Sequence, residues 1–332
     1  MAKEPKSEDK SIDAALRPGK WADYIGQEPI KANLAILIKA AKARAETLEH
    51  LLFYGPPGLG KTTLAHVVAN EMASSIKITS GPAIERVGDL ASLLTNLSAG
   101  DILFIDEIHR LNRAVEEILY PALESRVIDI IIGKGPGARS IQLELPAFTL
   151  IAATTRASMM SSPLRSRFSG GTFRLDYYDE PELRKIMQRS AKILKIALEN
   201  DAAEIIANRS RATPRIANRL LKRARDYAQV HDSPKITLEV AKKTLDLLGI
   251  DSRGLEETDR KLLSAIIEKF RGGPVGIQTM AAVTSEEQAT IEEIYEPYLL
   301  RIGFIERTPR GRMVTRSALE HLGKKLPQTE LL

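Results

Sequence analysis

Gly55-Pro56-Pro57-Gly58-Leu59-Gly60-Lys61-Thr62-Thr63 follows the apolar run Leu51-Leu52-Phe53-Tyr54 and leads into Leu64-Ala65-His66-Val67-Val68-Ala69-Asn70-Glu71-Met72. The run predicts a buried strand, and the residues after the loop predict a helix. G-x-x-x-x-G-K-[ST] between a strand and a helix is a P-loop. Its glycines let backbone N–H groups curl around phosphate oxygens, and the following helix start adds partial positive charge. Gly58 and Gly60 belong to that cradle. Lys61 is expected to reach the β- and γ-phosphates of ATP, and the Thr62 hydroxyl to ligate Mg²⁺. An ordinary glycine turn would need neither the lysine nor both flanks.

The rest of the chain sets limits on this reading. A length of 332 residues suggests two or three domains. There is no cysteine, which excludes disulfides and cysteine-based zinc sites and fits a cytoplasmic protein. The formal charge of +5 leans toward a polyanionic partner. Met1 to Lys10 lacks the apolar core of a signal peptide, and no apolar run approaches membrane-spanning length.

Residues 1–15 read as a flexible tail. Strands then alternate with helices over 16–179, which predicts an α/β domain with a mainly parallel sheet. Helices are predicted over Pro29–Ala45, Leu90–Leu97 and Arg113–Ser125. Strands are predicted over Ser75–Ser80, Ile102–Ile105, Phe148–Ala153 and Phe173–Leu175. Val127–Ile132 and Ser140–Leu145 flank Gly133-Lys134-Gly135-Pro136-Gly137-Ala138-Arg139 and read as a hairpin, either a plain connector or a protruding arm. From Glu180 the pattern is helical throughout, giving a small all-helical domain over 180–252. Thr213-Pro214 reads as a helix cap followed by an N1 proline, and Gly249–Gly254 as a linker. Over 253–332, three helices precede a hairpin at Phe304–Thr315. That is a winged helix, a fold used for nucleic acid and also for protein contacts.

Asp106-Glu107 ends the apolar strand Ile102–Ile105. That strand is expected beside the P-loop strand, so that Asp106 holds Mg²⁺ and Glu107 orients and deprotonates the attacking water. Thr154-Thr155 ends the next strand and can position water or sense a γ-phosphate. Arg165 and Arg167 follow in Leu-Arg-Ser-Arg-Phe. A guanidinium there can stabilise the transferred phosphoryl group or merely form a surface ion pair. Ile205–Arg225 holds seven basic residues and no acid. Of these, Arg215 starts a helix and can face a nucleotide, and the others suit a solvated or interface face. Arg301–Arg316 holds five arginines and one acid, Glu306. Arg307, Arg310 and Arg312 on the hairpin suit DNA phosphates, though a merely soluble hairpin would look similar. The five histidines show no metal-ligand spacing, and His109 is expected to pack or hydrogen-bond.

P-loop, Asp-Glu and Thr-Thr strand ends, trailing arginine and helical lid together resemble the AAA+ ATPases. Four strings narrow the resemblance to the bacterial RuvB family of Holliday-junction branch-migration motors. They are Tyr54–Thr63, Phe104–Leu111, Ile132–Pro136 and Gly303–Arg312. The resemblance spans about residues 14–323. It implies an ATP hydrolase that works as a homo-hexameric ring on duplex DNA at a Holliday junction, with no membrane role. It also implies recruitment by RuvA through the hairpin at 127–145, and the RuvC resolvase as a further partner. Carried over, Leu16 and Arg17 lie on the adenine side, and Gly58, Lys61, Thr62 and Thr63 bind phosphate and Mg²⁺. Arg167 is a finger acting on the neighbouring subunit, Tyr178 a nucleotide contact, and Arg215 the lid sensor. Arg307 and Arg312 contact DNA. The chain departs from the family pattern at Arg167-Phe168-Ser169-Gly170-Gly171-Thr172, one residue longer than usual, which puts Tyr178 rather than Tyr177 in register. Glu124-Ser125-Arg126 replaces a more usual acidic-aromatic pattern, and a further lengthening lies near Thr284-Ser285-Glu286.

Two other functions fit parts of the sequence. A clamp-loader-like ATP switch would share the P-loop machinery. A winged-helix regulator with an inactive nucleotide site would share the C-terminal fold, but Lys61, Thr62, Asp106, Glu107 and Arg167 are all present.

Overall fold

The P-loop strand β1 (Leu51–Tyr54) is short and apolar, and its first three residues are wholly buried. The computed structural model describes residues 14–132 and 139–325, without the side chains of 130–132, 139 and 140. They divide into two compact units, one holding the described residues of 14–55 and 59–176, the other those of 56–58 and 177–325. Of the expected tail over residues 1–15, residues 1–13 lie outside the described residues and residues 14–16 are helical; of the expected turn over 133–139, residues 133–138 lie outside them and Arg139 belongs to a strand.

In the first unit β1 belongs to a five-stranded parallel sheet with β2 (Ile76–Ser80), β3 (Ile102–Asp106), β6 (Thr149–Thr154) and β7 (Gly171–Arg174). The order is β2-β3-β6-β1-β7. β3 and β6 are buried along nearly their whole length, as continuous apolar runs in a doubly covered sheet should be. The order corrects one expectation. β3 does not adjoin the P-loop strand, because β6 lies between them and carries the Thr-Thr pair into the middle of the sheet. Helices Glu28–Arg44, Lys61–Met72, Val87–Thr95 and Arg113–Glu124 fall where the periodicity places them, the third starting three residues earlier than expected. β4 (Val127–Ile132) and β5 (Arg139–Glu144) pair antiparallel from Val127↔Glu144 to Ile132↔Arg139, so the hairpin is present. Ile128 packs in the core of the unit, whereas Ile141 is exposed.

His50 precedes β1 and fixes the entry edge of the sheet. Its Nδ1 accepts from the Leu150 N–H at 2.9 Å and its Nε2–H donates to the Leu123 carbonyl at 3.2 Å. Acceptance at Nδ1 requires the neutral ring, since both nitrogens of the protonated ring are donors. Burial lowers its pKa below the ordinary 6.5. The unfolded chain therefore takes up the proton first, so this stability is full above about pH 6.5 and falls as pH drops toward the folded value. Thermal melts of the wild type should lose up to about 1.4 kcal/mol per pH unit in that window. His50→Gln should remove that part of the pH dependence, and an unchanged profile in the variant would contradict this assignment.

In the second unit, helices Glu180–Ile193, Asn200–Asn208, Pro214–Val230 and Leu238–Leu247 form a bundle. It includes a two-residue strand pair, β8 (Ala197–Leu198) with β9 (Lys235–Ile236), that no periodicity signalled. Pro214 opens its helix as expected, but Thr213 does not cap it. The Thr213 hydroxyl donates instead to the Ser210 carbonyl at 3.2 Å. Gly249–Gly254 is no loose linker. The Asp251 carboxylate accepts from the N–H groups of Arg253 and Leu255 and meets His321 at 2.8 Å. Arg211, from the basic run, is buried against Asp259 and donates to the Gly254 carbonyl.

The winged helix has helices Glu257–Phe270 and Ile277–Thr284, then a third over Gln288–Arg301 that contains a π turn at Ile291–Tyr295. β10 (Ile305–Thr308) and β11 (Gly311–Val314) form the wing, and helix Arg316–Leu322 closes the fold. Val275 pairs with Arg312 through two backbone hydrogen bonds, which pins β11 to the helical core.

Candidate nucleotide site and nucleic-acid interface

Three strand ends converge at the carboxyl edge of the sheet in the first unit. β1 delivers Gly55, whose φ is +137. A Cβ there would lie 2.5 Å from the Leu175 carbonyl oxygen, so only glycine lets the loop leave the strand at this angle. Lys61 is buried at the start of its helix and donates to the Gly55 carbonyl at 2.8 Å. The Thr62 hydroxyl donates to Asp106 Oδ2 at 3.4 Å, so hydroxyl and carboxylate sit together although β3 is two strands from β1. Among the described residues no three His, Cys, Asp or Glu side chains cluster to hold a metal. The Thr62–Asp106 pair is therefore a partial set of hard oxygen donors, the kind Mg²⁺ completes with phosphate oxygens and water.

Glu107 has a left-handed backbone, with φ +49 and ψ +44. Its N–H donates to Asp106 Oδ1 at 2.9 Å, and its carboxylate pairs with Arg110 at 3.2 Å. Non-glycine residues are held in this conformation at some cost, commonly at functional sites. Gly81 makes it possible, since a Cβ at 81 would lie 2.4 Å from the Glu107 carbonyl oxygen. The two threonines at the end of β6, Thr154 and the following Thr155, separate cleanly. Thr154 is buried, meets His109 Nδ1 at 2.9 Å and accepts from the Arg156 N–H. Thr155 Oγ1 is buried with no hydrogen-bond partner among the described residues. An orphaned hydroxyl beside the acidic pair's neighbouring strand fits a ligand oxygen or a water.

The N-terminal segment runs along the P-loop helix. Leu16 is buried, Arg17 Nη1 lies 3.5 Å from His66 Nε2, and Asn70 donates to the Gly19 carbonyl at 2.7 Å. Burial, with Arg17 adding to it, lowers the pKa of His66.

Arg167 is not part of this convergence. Its Nη1 donates to the Pro163 carbonyl at 2.6 Å, its Nη2 pairs with Glu124 at 2.9 Å, and its guanidinium stacks 4.4 Å from the Tyr120 ring centre. Tyr120 in turn shares the buried Glu116 carboxylate with Ser161. Arg167 lines a groove of about 1180 Å³ together with His50, Ile102 and Thr149. Those residues stand at the amino ends of β1, β3 and β6, whereas Lys61, Asp106 and Thr155 stand at or beyond the carboxyl ends. A strand of this length spans about 13–20 Å, beyond the reach of an arginine side chain. The altered Glu124 thus serves as the partner of Arg167. Arg165 lies one residue outside that arrangement and is exposed.

In the second unit the Arg215 N–H donates to the Gly58 carbonyl at 3.3 Å, and the Arg215 side chain is exposed. Tyr178 is buried and its N–H donates to the Ala212 carbonyl, while Tyr177 instead stacks under Arg301 at 4.3 Å.

The wing differs from a simple row of free cations. Arg307 and Arg312 both clasp Glu296, each through Nε and Nη2, at 2.8, 2.9, 2.8 and 3.1 Å. Glu296 is buried, at 2% exposure. Burial pushes its carboxyl up, but the hydrogen bonds from the two arginines outweigh this and hold it below the ordinary glutamate value. The same carboxylate raises Arg307. Arg307 stays 58% exposed, while Arg312 is only 14% exposed. Arg310 is exposed in the two-residue turn between β10 and β11. The residue missed from sequence is Glu296. Its signal was the five-residue spacing of Arg307 and Arg312 about a tight turn, which sets like charges opposite one another and calls for an acid.

Family models match the chain along almost its full length. They are the Holliday junction DNA helicase RuvB P-loop domain at residues 16–175, the RuvB AAA lid domain at 178–251, and the RuvB C-terminal winged helix domain at 252–323. The Holliday junction branch migration complex subunit RuvB of Thermomicrobium roseum is 59% identical over 331 residues, covering 100% of this chain and 94% of that protein. The solved Thermotoga maritima RuvB Holliday junction branch migration motor is 49% identical with a TM-score of 0.86, covering 94% of this chain and 100% of that one. A point mutant of the Thermotoga protein gives 50% identity and a TM-score of 0.87 over the same shares. With three successive domain models matched in order and a curated relative aligned end to end, the chain belongs to the RuvB family of Holliday junction DNA helicases.

Proposed function

We propose that this protein is an ATP-driven motor that moves Holliday junctions by branch migration. It acts as a cytoplasmic homo-hexameric ring on duplex DNA, recruited by RuvA through the hairpin at 127–145 and working with RuvC. The domains that serve this are an ATPase domain at 16–179, a helical lid at 180–252 and a DNA-binding winged helix at 253–332. No helix among the described residues is long and apolar enough to cross a membrane.

The observation that carries the proposal is the position of Arg167. It lines the amino edge of the same sheet whose carboxyl edge holds Lys61, Asp106 and Thr155. A guanidinium so placed does not reach the Lys61, Asp106 and Thr155 edge of its own sheet, and it suits the site of a neighbour. Hydrolysis is then in-line attack of water on the γ-phosphate of ATP. Gly58, Gly60, Lys61 and Thr63 bind the phosphates, Thr62 and Asp106 hold Mg²⁺, and the ion supplies charge neutralisation when bound. Glu107 orients the water and takes its proton. The unpartnered Thr155 hydroxyl fixes the water or the γ-phosphate, and Arg167 of the adjacent subunit stabilises the charge on the transferred group. Leu16 and Arg17 flank the adenine, and Tyr178 and Arg215 contact the nucleotide from the lid. The Arg215 N–H bond to the Gly58 carbonyl supports that lid assignment. Arg307, Arg310 and Arg312 meet DNA phosphates.

The test is branch migration of a synthetic four-way junction with RuvA and ATP. Sustained strand exchange that stops with Lys61→Ala supports the motor. ATP turnover limited to one event per loaded DNA, without strand exchange, would assign a loader instead.

A further inference from the structure

Arg307 and Arg312 face each other directly across the wing, in register on antiparallel strands. Like charges so opposed repel and would splay the hairpin. The structure resolves the conflict with a buried carboxylate from a different element. Glu296 takes Nε and Nη2 of both guanidiniums, and Glu292, one helical turn earlier, lies 3.7 Å from Arg312. The π turn at Ile291–Tyr295 immediately precedes Glu296. A π turn accommodates one residue more than an α turn, which rotates the downstream part of the helix by about 100°. Glu296 is thereby turned inward, beneath the wing.

We infer that Glu296 is a positioning residue for DNA binding: it locks Arg307 and Arg312 side by side as one preformed phosphate clamp. Each guanidinium spends two donors on Glu296 and keeps others, including both on Nη1, for a phosphate oxygen. Both side chains keep exposed surface. The clamp needs no rearrangement to bind, because its rotamers are fixed before DNA arrives. This inference rests on the reading of the winged helix as the DNA-binding domain.

Simple electrostatics and the clamp make opposite forecasts for Glu296→Gln. Removing a negative charge beside a polyanion site should tighten DNA binding. Loss of the clamp should weaken it. The experiment measures duplex-DNA affinity of the full-length protein against salt concentration, with ATPase in the absence of DNA as the control for folding. The expected result for Glu296→Gln is roughly tenfold weaker binding and a salt slope shallower by about 1 to 2, since each lost phosphate contact removes about 0.9. Glu306→Gln removes the same charge from an exposed position on the same hairpin and should bind as tightly as wild type or more so. Equal or tighter binding by Glu296→Gln, with its ATPase intact, would overturn the inference. Should that variant fold poorly, Arg307→Gln, Arg312→Gln and their double variant decide. The clamp predicts a double variant little worse than the more damaged single, whereas additive losses mean two independent contacts and overturn it. A wild-type protein that binds no duplex DNA would instead defeat the domain assignment.

Discussion

Glu107→Gln is expected to bind ATP with near wild-type affinity and to hydrolyse it at least about 100-fold more slowly. The substitution keeps the size of the side chain and removes only its capacity to take a proton. The left-handed backbone at Glu107, the close approach of Gly81 and the bond from its own N–H to Asp106 are main-chain features that glutamine leaves alone. In the proposed mechanism nucleotide binding rests on other groups, chiefly Lys61 and the loop N–H donors. Single-turnover hydrolysis and equilibrium binding of a fluorescent ATP analogue separate the two effects. A variant that turns over rapidly would move the base to another residue. One that loses binding as well would make Glu107 a structural support of the loop.

Arg167→Ala carries the second large effect. An arginine that stabilises the transferred phosphoryl group contributes on the order of 10³-fold or more to turnover. Its removal should therefore lower the rate by that order while leaving ATP binding nearly intact. The local cost is modest. Arg167 is tied to Glu124, Tyr120 and the Pro163 carbonyl, and Tyr120 keeps its bonds to Glu116 and Ser161 without it. Glu124→Gln is the companion variant, since it loosens the guanidinium without removing it. Loss of turnover in Arg167→Ala accompanied by unfolding, seen as a lowered melting temperature of several degrees, would reduce the arginine to a packing role.

The sequence made some of this legible and hid the rest, for physical reasons. The P-loop is a local device whose glycines, lysine and threonine are contiguous, so strand, loop and helix could be read directly, and the structure sets the expected Lys61, Thr62, Asp106 and Glu107 at one edge of the sheet. Strand order is a long-range property. Nothing in the residues of β6 says that it inserts between β1 and β3, although the Thr-Thr pair hinted at a site role. Thr154 and Thr155 are adjacent and chemically identical, and only the position of His109 shows which hydroxyl is already engaged. Thr213 read as a cap because its type suits one, yet its hydroxyl is drawn to the Ser210 carbonyl. Glu296 was missed because the spacing of Arg307 and Arg312 calls for an acid without saying which of several glutamates supplies it. Its meaning comes from a π turn and from two arginines that the chain folds onto it. The edge of the sheet that Arg167 occupies was likewise set by the fold and not by the motif Leu-Arg-Ser-Arg-Phe.

That placement makes the central claim testable by mixing two inactive proteins. Arg167→Ala retains Lys61 and lacks the finger. Lys61→Ala lacks the phosphate lysine and retains the finger. In a mixed ring, the site of an Arg167→Ala subunit meets the intact Arg167 of a Lys61→Ala neighbour and is complete. Steady-state ATP hydrolysis should be negligible for each variant alone and should reappear on mixing, highest near equal proportions. A mixture as inactive as its components at every ratio, with mixed rings formed, would show that Arg167 does not act across subunits.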